Sequence, residues 1–298
     1  AINEEETIGE MLDRIPKKIE GINEICKIVI DDGSKDNTVS VAREHGAVVY
    51  SNGKQKKLAY SFTKAIAKVL ESGADIAVNI DADLQFNPEQ IPDIIEPILK
   101  QGYDFVAADR FTDRATGKIR MPLNMPKSKF YTNRIGSKIV GILSGQNFAD
   151  VTCGFRAYNR KALLTLNINS KYTYTQESFQ VLAMNKLNIT AVPVDVKYFI
   201  GRRSRVVNSF FGFLFGSALN ILKAFRDYAP LPFFGITGAL VLFLGIILDI
   251  FTLINYLNTG SFSPYIYVAF VGAYLTVIGM IVIIVGLVAD MLDRIRNN

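Results

Sequence analysis

Apolar and polar positions alternate in short blocks over the first two hundred residues, then give way to two long apolar stretches. Ile8, Met11, Leu12 and Ile15 recur at helical spacing within residues 3–17. A β-branched run at 26–30 predicts a strand, followed by a helix over 38–45 and a short strand over 47–50. The same rhythm continues with a helix over 58–72, a strand over 76–80, a helix over 88–101 and a strand over 105–108. Further on come a helix over 131–143, strand and turn over 150–158, a helix over 177–185 and a strand over 189–196. Strand, helix, strand in this order predicts an α/β domain with a parallel, Rossmann-like sheet. Residues 112–129, basic and punctuated by Pro122 and Pro126, read as a mobile loop over the site.

Beyond residue 204 the pattern changes. Apolar side chains cover a broad face of 205–228, flanked by Arg205, Lys223 and Arg226, as in a helix lying in a membrane interface; a buried core helix is the alternative. Residues 231–257 and 265–289 are each long enough to cross a bilayer, which takes about 20 apolar residues. Asp249 is the only charge inside either. Its expected places are against the neighbouring helix, near the interface, or in a subunit contact. Basic residues before and after the pair put both ends, and the domain before them, in the cytoplasm. The expected division is a catalytic domain over 1–200, a basic loop and juxtamembrane helix over 201–229, and a two-helix hairpin with a short cytosolic tail over 230–298.

Composition sharpens this reading. Hydrophobic residues make up 49% of 298, an excess concentrated after Pro230. The net charge of +5 is gathered at 54–57, 118–134 and 202–205, clusters suited to nucleic acid, anionic lipid or phosphorylated small molecules. No aromatic-interleaved basic motif or zinc spacing favours nucleic acid. Cys26 and Cys153 lie far apart and predict free thiols in a reducing compartment. With His45 as the single histidine, no Ser-His-Asp arrangement is available. No Walker A loop and no Gly-x-Gly-x-x-Gly occurs, which disfavours phosphate-loop NTPases and dinucleotide oxidoreductases.

The chemistry centres on Asp81-Ala82-Asp83-Leu84-Gln85, directly after the 76–80 strand. Alternation would put Asp81 and Asp83 on one side of an extended backbone, at the carboxyl end of a central strand where open α/β sheets bind ligands. Two carboxylates that close repel unless a cation or hydrogen bonds compensate them. Mg²⁺ or Mn²⁺ with water and a diphosphate would suit them; an Asx turn before the next helix would also explain them. Asp32 likewise fits either a nucleotide contact or plain turn chemistry.

Together, Asn3-Glu4-Glu5, Asp31-Asp32-Gly33-Ser34-Lys35-Asp36-Asn37-Thr38, Asp81-Ala82-Asp83-Leu84-Gln85 and Asp150-Val151-Thr152-Cys153-Gly154-Phe155-Arg156 resemble family 2 glycosyltransferases. The order, followed by two spans, most resembles polyprenyl-phosphate glycosyltransferases of the dolichol-phosphate mannose synthase type. The two-membrane-helix branch, as in bacterial undecaprenyl-phosphate glucosyltransferases, is the nearest. This resemblance implies a GT-A domain whose first strand precedes Ala1. It implies that Glu4, Asp32 and Lys54 hold the donor with Asp81, and that Asp81, Asp83 and Gln85 hold Mg²⁺ or Mn²⁺. Glu177 matches an acidic position near the sugar, so Asp81, Asp83 and Glu177 form the expected catalytic set. Lys127, Arg134, Arg202, Arg203 and Arg205 are the expected acceptor-phosphate ligands; a solvated juxtamembrane charge run also explains the last three. The sequence departs from the family at Lys54-Gln55, where Lys-Gly is common, and at Lys129, where Ser is frequent.

The implied partners are a nucleotide-sugar donor, a polyprenyl phosphate acceptor, a lipid bilayer and further copies of the chain, up to a tetramer; nucleic acid is not among them. The implied place is the cell membrane, multi-pass, with the catalytic domain cytoplasmic. A lipid phosphate is already an oxyanion at neutral pH, so the missing histidine base is no obstacle. UDP-glucose is the first-choice donor and GDP-mannose the second. A polysaccharide synthase would normally carry more spans and a Trp-containing motif, and this chain has no Trp. An inactive adaptor would not need the retained aspartates.

Overall fold

The structure, a computed structural model, describes residues 1–168, 174–199 and 210–297. It separates into two compact units, Ala1–Ile221 and Leu222–Asn298.

In the first unit, α1 (Ile8–Asp13) packs Ile8, Met11 and Leu12 against Val29 of β1 (Ile28–Asp31) and Ala42 of α2 (Thr38–Glu44). β1 pairs in parallel with β2 (Val48–Ser51), as the strand–helix–strand pattern predicts. α3 (Leu58–Glu71) leads to β3 (Ile76–Asn79), and α4 (Ile91–Gln101) to β4 (Phe105–Asp109). α5 (Lys127–Ser144) is followed by β5 (Arg156–Asn159), α6 (Arg160–Thr165), α7 (Thr175–Met184) and β6 (Ile189–Pro193).

These last four strands form one sheet in the order β3-β5-β4-β6. It is not the all-parallel sheet that the alternation of elements suggests. β4 and β6 run parallel, but β5 lies between β3 and β4 and runs against both. The cause lies in the β4–β5 connection. A parallel strand needs a crossover that returns the chain to the far end of the sheet. Here the chain re-enters where β3 and β4 finish, with Arg156 opposite Asn79 and Ala107. β3 is consequently an edge strand of this sheet rather than a central one.

The sheet is covered on both faces. Successive side chains of a strand point to opposite sides. Phe105 and Ala107 join Phe62, Val140, Tyr158 and Phe179 on one side, while Val106 and Ala108 join Ile91, Ile94 and Phe155 on the other. Every residue of β4 is buried. Residues 112–126 are not featureless: Thr112 bridges Ile119, and Asp113 caps a turn through the amides of Ala115 and Thr116.

α8 (Phe210–Tyr228) spans the boundary between the units. In the second unit, α9 (Pro230–Thr259) and α10 (Ile266–Asn297) pack along one another. Both are long and apolar enough to cross a membrane, and only 11% of either apolar window is buried against protein. A soluble core helix would be mostly buried, so exposure favours spans. Glycines set the spacing: a Cβ on Gly245 would meet the Thr276 amide at 2.5 Å, and one on Gly279 would meet the Leu242 amide at 2.5 Å. Asp249 lies against this seam, accepting a 2.8 Å hydrogen bond from Thr276 Oγ1 beside Gly272. Of the three places expected for it, the structure selects the neighbouring helix.

Candidate active site

β1 ends in Asp31, whose carboxylate accepts from Ser34 N at 2.9 Å and Ser51 Oγ at 2.6 Å. Burial would raise its pKa, but these hydrogen bonds hold it below the usual carboxylate range. The buried Asp32 carboxylate accepts from Asn52 Nδ2, Ser61 Oγ and the amides of Lys56 and Lys57, all within 2.9–3.0 Å. Asp32 is therefore the clamp that shapes the 52–61 loop. Gly33 sits at φ +84°, and a Cβ there would meet the Lys54 and Gln55 backbone at 2.7–2.8 Å. Lys54 is thereby held beside this turn with an exposed side chain.

The first motif packs on the second. Asn3 Oδ1 accepts from Lys35 N, Glu5 Oε2 from Asn37 N, and Thr38 Oγ1 from Glu4 N, each within 2.8–2.9 Å. Ala1 N donates to Ile30 O, and Asp81, Asp31, Asp32 and Glu4 all lie within electrostatic range of Ala1. Four acidic residues from three separated motifs thus converge.

Asp81 and Asp83 come together, though not by strand alternation. β3 stops at Asn79, and the following residues form a turn in which Asp83 Oδ1 accepts from Gln85 N at 3.1 Å and Leu84 takes φ +57°. The Asx-turn reading of Asp83 and the clustering of the two carboxylates are both correct. Crowding by protein atoms and then repulsion from Asp83 push the Asp81 pKa up to about 6. The Asp81 side chain is nonetheless exposed to solvent, which moderates the crowding effect and leaves the upward direction.

The fourth motif forms the wall of this cleft. A Cβ on Gly154 would come 2.9 Å from Asp81 Oδ2, so only glycine leaves that carboxylate its place. Asn79 Nδ2 donates to Gly154 O at 2.7 Å and to Tyr174 Oη at 2.9 Å. Arg156 is fully buried and, among the described residues, is held by neutral acceptors: it donates to the carbonyls of Cys153, Val151 and Thr175 and to Ser178 Oγ. It thereby joins the cleft wall to the first turn of α7, where Glu177 is buried.

Sequence reasoning missed Arg110. It follows the last residue of β4 and forms a buried two-pronged pair with Asp150, at 2.6 and 2.9 Å, with Thr152 Oγ1 and Tyr198 Oη accepting from the same guanidinium. Although burial opposes it, Arg110 holds the Asp150 carboxyl below its usual range. The available signal was an arginine placed at a strand's carboxyl end. Lys129 belongs here too. Its ammonium lies 5.0 Å from the centre of the Tyr198 ring, and burial and then Arg110 lower its pKa, with Asp150 and Asp83 acting the other way.

The expected acceptor residues are distributed differently. Arg134 donates to Ala149 O at 3.1 Å, and Lys127 is exposed at the start of α5. Arg202, Arg203 and Arg205 lie outside the described residues. Among the described residues no three His, Cys, Asp or Glu side chains gather as a metal site. The residues fit a divalent cation that shares its shell with a ligand: two oxygen donors that repel one another, in a cradle kept open by Gly154.

A mixed α/β sheet with carboxylates gathered after β1 and β3 is the arrangement of a glycosyltransferase domain of the GT-A type. Residues 1–166 match the Glycosyl transferase family 2 model, and the chain belongs to that family. It is 29% identical over 243 residues to a UDP-N-acetylglucosamine–dolichyl-phosphate N-acetylglucosaminyltransferase of Methanococcus voltae, covering 75% of this chain and 93% of that one. An undecaprenyl-phosphate 4-deoxy-4-formamido-L-arabinose transferase of Proteus mirabilis is 23% identical over 99% of this chain and 87% of its own. Glucosyl-3-phosphoglycerate synthase of Mycobacterium tuberculosis, solved with Mn²⁺, UDP and its product, shares the fold at a TM-score of 0.56 and 20% identity, over 75% of this chain and 77% of that one.

Proposed function

We propose that this protein transfers a hexose, glucose from UDP-glucose in the first instance, to a polyprenyl phosphate at the cytoplasmic face of the cell membrane. One observation carries the reading: a single chain joins a paired-carboxylate site of the GT-A type to two exposed apolar helices. Both curated relatives named above act on polyprenyl phosphates with different sugars, which supports the acceptor more than the donor.

In this reading a phosphate oxyanion of the lipid attacks the anomeric carbon of the donor. The new C–O bond forms as the bond to the nucleoside diphosphate breaks, and the anomeric centre inverts. No proton has to be removed from the nucleophile. Glu4 and the loop clamped by Asp32 bind the nucleoside end, with Lys54 beside the diphosphate. Asp81, Asp83 and Gln85 would hold Mg²⁺ or Mn²⁺, which when bound supplies charge stabilisation to the leaving diphosphate. Glu177, on the helix tied down by Arg156, faces the sugar. Lys127, Arg134 and the 202–205 arginines receive the acceptor phosphate, and Lys129 joins them by its proximity to Asp83 and Asp150. The basic residues Lys223 and Arg226 before the apolar helices, and Arg294 and Arg296 after them, support a cytoplasmic catalytic unit.

Radiolabelled UDP-glucose, UDP-N-acetylglucosamine and GDP-mannose, each offered with undecaprenyl phosphate in detergent, test this. Glycolipid from UDP-glucose, abolished by chelator and by Asp83→Ala, is the expected result. Glycolipid from another donor alone would replace the sugar. Nucleotide binding without glycolipid from any donor would overturn the lipid acceptor.

A further inference from the structure

One polar side chain is shut inside the core of the first unit with only half of its hydrogen bonding met. Residues 175–183 of α7 are all buried, and Gln180 is completely so, with Phe179, Val181 and Leu182 beside it. Burying an amide raises the free energy unless both of its ends find partners. Gln180 Nε2 donates to the main-chain oxygen of Ile221 on α8 at 3.2 Å, while its Oε1 has no partner among the described residues. Leucine or methionine would fill the same space without that cost. Packing alone therefore does not account for a glutamine here.

The bond falls where apolar contact gives little direction. Ile221 is buried in the cluster that holds Phe179 and Leu182, yet Leu219 and Leu222 on the same helix are 40% and 51% exposed. With apolar residues spread so widely around α8, their pattern does not single out one face. A hydrogen bond is directional, and a main-chain oxygen is present whatever side chain α8 carries. α7 has a second polar anchor one turn earlier, where Arg156 donates to Thr175 O and Ser178 Oγ. Glu177 lies between the two anchors, three positions before Gln180 and so beside it on the helix surface. Ile221 belongs to the first unit, and Pro230 opens α9 nine positions later.

We infer that Gln180 is a positioning residue for Glu177. By bonding to α8 it braces α7, so the acidic group takes its place from the segment of chain that leads into the apolar hairpin. Buried as it is, Gln180 acts through the helix and not on a substrate. That Glu177 faces the sugar rests on the transfer reading above; the brace itself does not. Loss of the brace is therefore felt in turnover and not in the binding of the nucleotide, whose site lies at the ends of β1 and β3.

The test compares the full-length parent with Gln180→Met and Gln180→Glu in detergent, by hydrogen exchange of the α7 amides, UDP binding and glycolipid formation. Methionine keeps the length of the side chain and cannot donate. Gln180→Met should exchange several-fold faster over 177–181 and lose several-fold in kcat, with UDP affinity and donor KM unchanged. An ionised glutamate also lacks the donor, but a protonated one offers its O–H to Ile221 O, and burial favours the neutral form. Gln180→Glu should therefore be impaired at about pH 8 and recover, relative to the parent, toward about pH 6. Parent-like exchange in Gln180→Met would overturn the brace. Unchanged kcat, or kcat and UDP affinity falling together with the melting temperature, would overturn the positioning role. A parent that makes no glycolipid from any donor would sink the transferase reading, while the exchange comparison, which needs no turnover, still decides the brace.

Discussion

Gly154 and Asp81, 73 positions apart, are packed so closely that a single methyl group on the first would reach within 2.9 Å of the carboxylate of the second. The group displaced is the free end of a side chain, so Gly154→Ala should fold with a melting temperature near that of the parent. Its carboxylate, however, would be misplaced. Displacements of about 1 Å at a reacting centre cost roughly 100-fold in turnover. Melting and glycosyl transfer measured on the same preparation check both halves; full activity would remove Asp81 from the site.

The Asp81–Asp83 repulsion has a sign that can be measured. A carboxyl whose folded pKa lies above its unfolded value binds the proton more tightly when folded. The penalty for ionising Asp81 is therefore absent well below pH 4, grows as the pH rises, and is fully present above about 6. In chelator at pH 7.5, Asp81→Asn should melt higher than the parent, with the gap closing toward pH 4. Adding Mn²⁺ with UDP should raise the parent's melting temperature and leave the variant's unchanged. An unchanged gap across pH would mean that folding does not raise the Asp81 pKa.

Arg110 and Asp150 form the most buried ion pair described, with side chains 7% and 0% exposed. Removing one member leaves an uncompensated buried charge, which costs about 3–5 kcal/mol. Arg110→Met should lose that much in urea unfolding. Arg110→Met combined with Asp150→Leu should recover most of it, because two apolar groups leave no charge behind. Additive losses would show that the pair is not coupled.

The two thiols should separate cleanly. Cys26 is exposed, whereas Cys153 is buried and its thiol is pushed up to about 12 by burial. One equivalent should react with a disulfide reagent in the native state and the second only on unfolding. Two fast equivalents would show that the Gly154 wall opens readily.

Periodicity read the elements well where one face is apolar and the other polar, as in α3 and α4. It located the two long apolar helices, because about 20 uninterrupted apolar residues have few other uses. Strand direction was not legible. The run at 156–159 has the same composition whether it runs with or against its neighbours, and only the route taken by 127–155 decides. The local turn at Asp31–Thr38 could be read from its own residues. The clamp from Asp32 to Lys56, Lys57 and Ser61 could not, because those donors are two main-chain amides and a commonplace serine. Arg110 escaped for a related reason: its partner lies 40 positions away.

The reversed course of β5 also sets an order of assembly. Asp81 stands on a turn that leaves β3 early in the chain, but its wall at Gly154 and its strand partner at Arg156 are made some seventy residues later. A nascent chain emerging from the ribosome carries the aspartates long before the cleft that positions them. The β3 edge waits unpaired through the whole of α4, β4 and α5, open to mispairing until β5 slots in. Closure of the cleft is thus a late, non-local step, and it falls in the interval before the apolar hairpin has been synthesised.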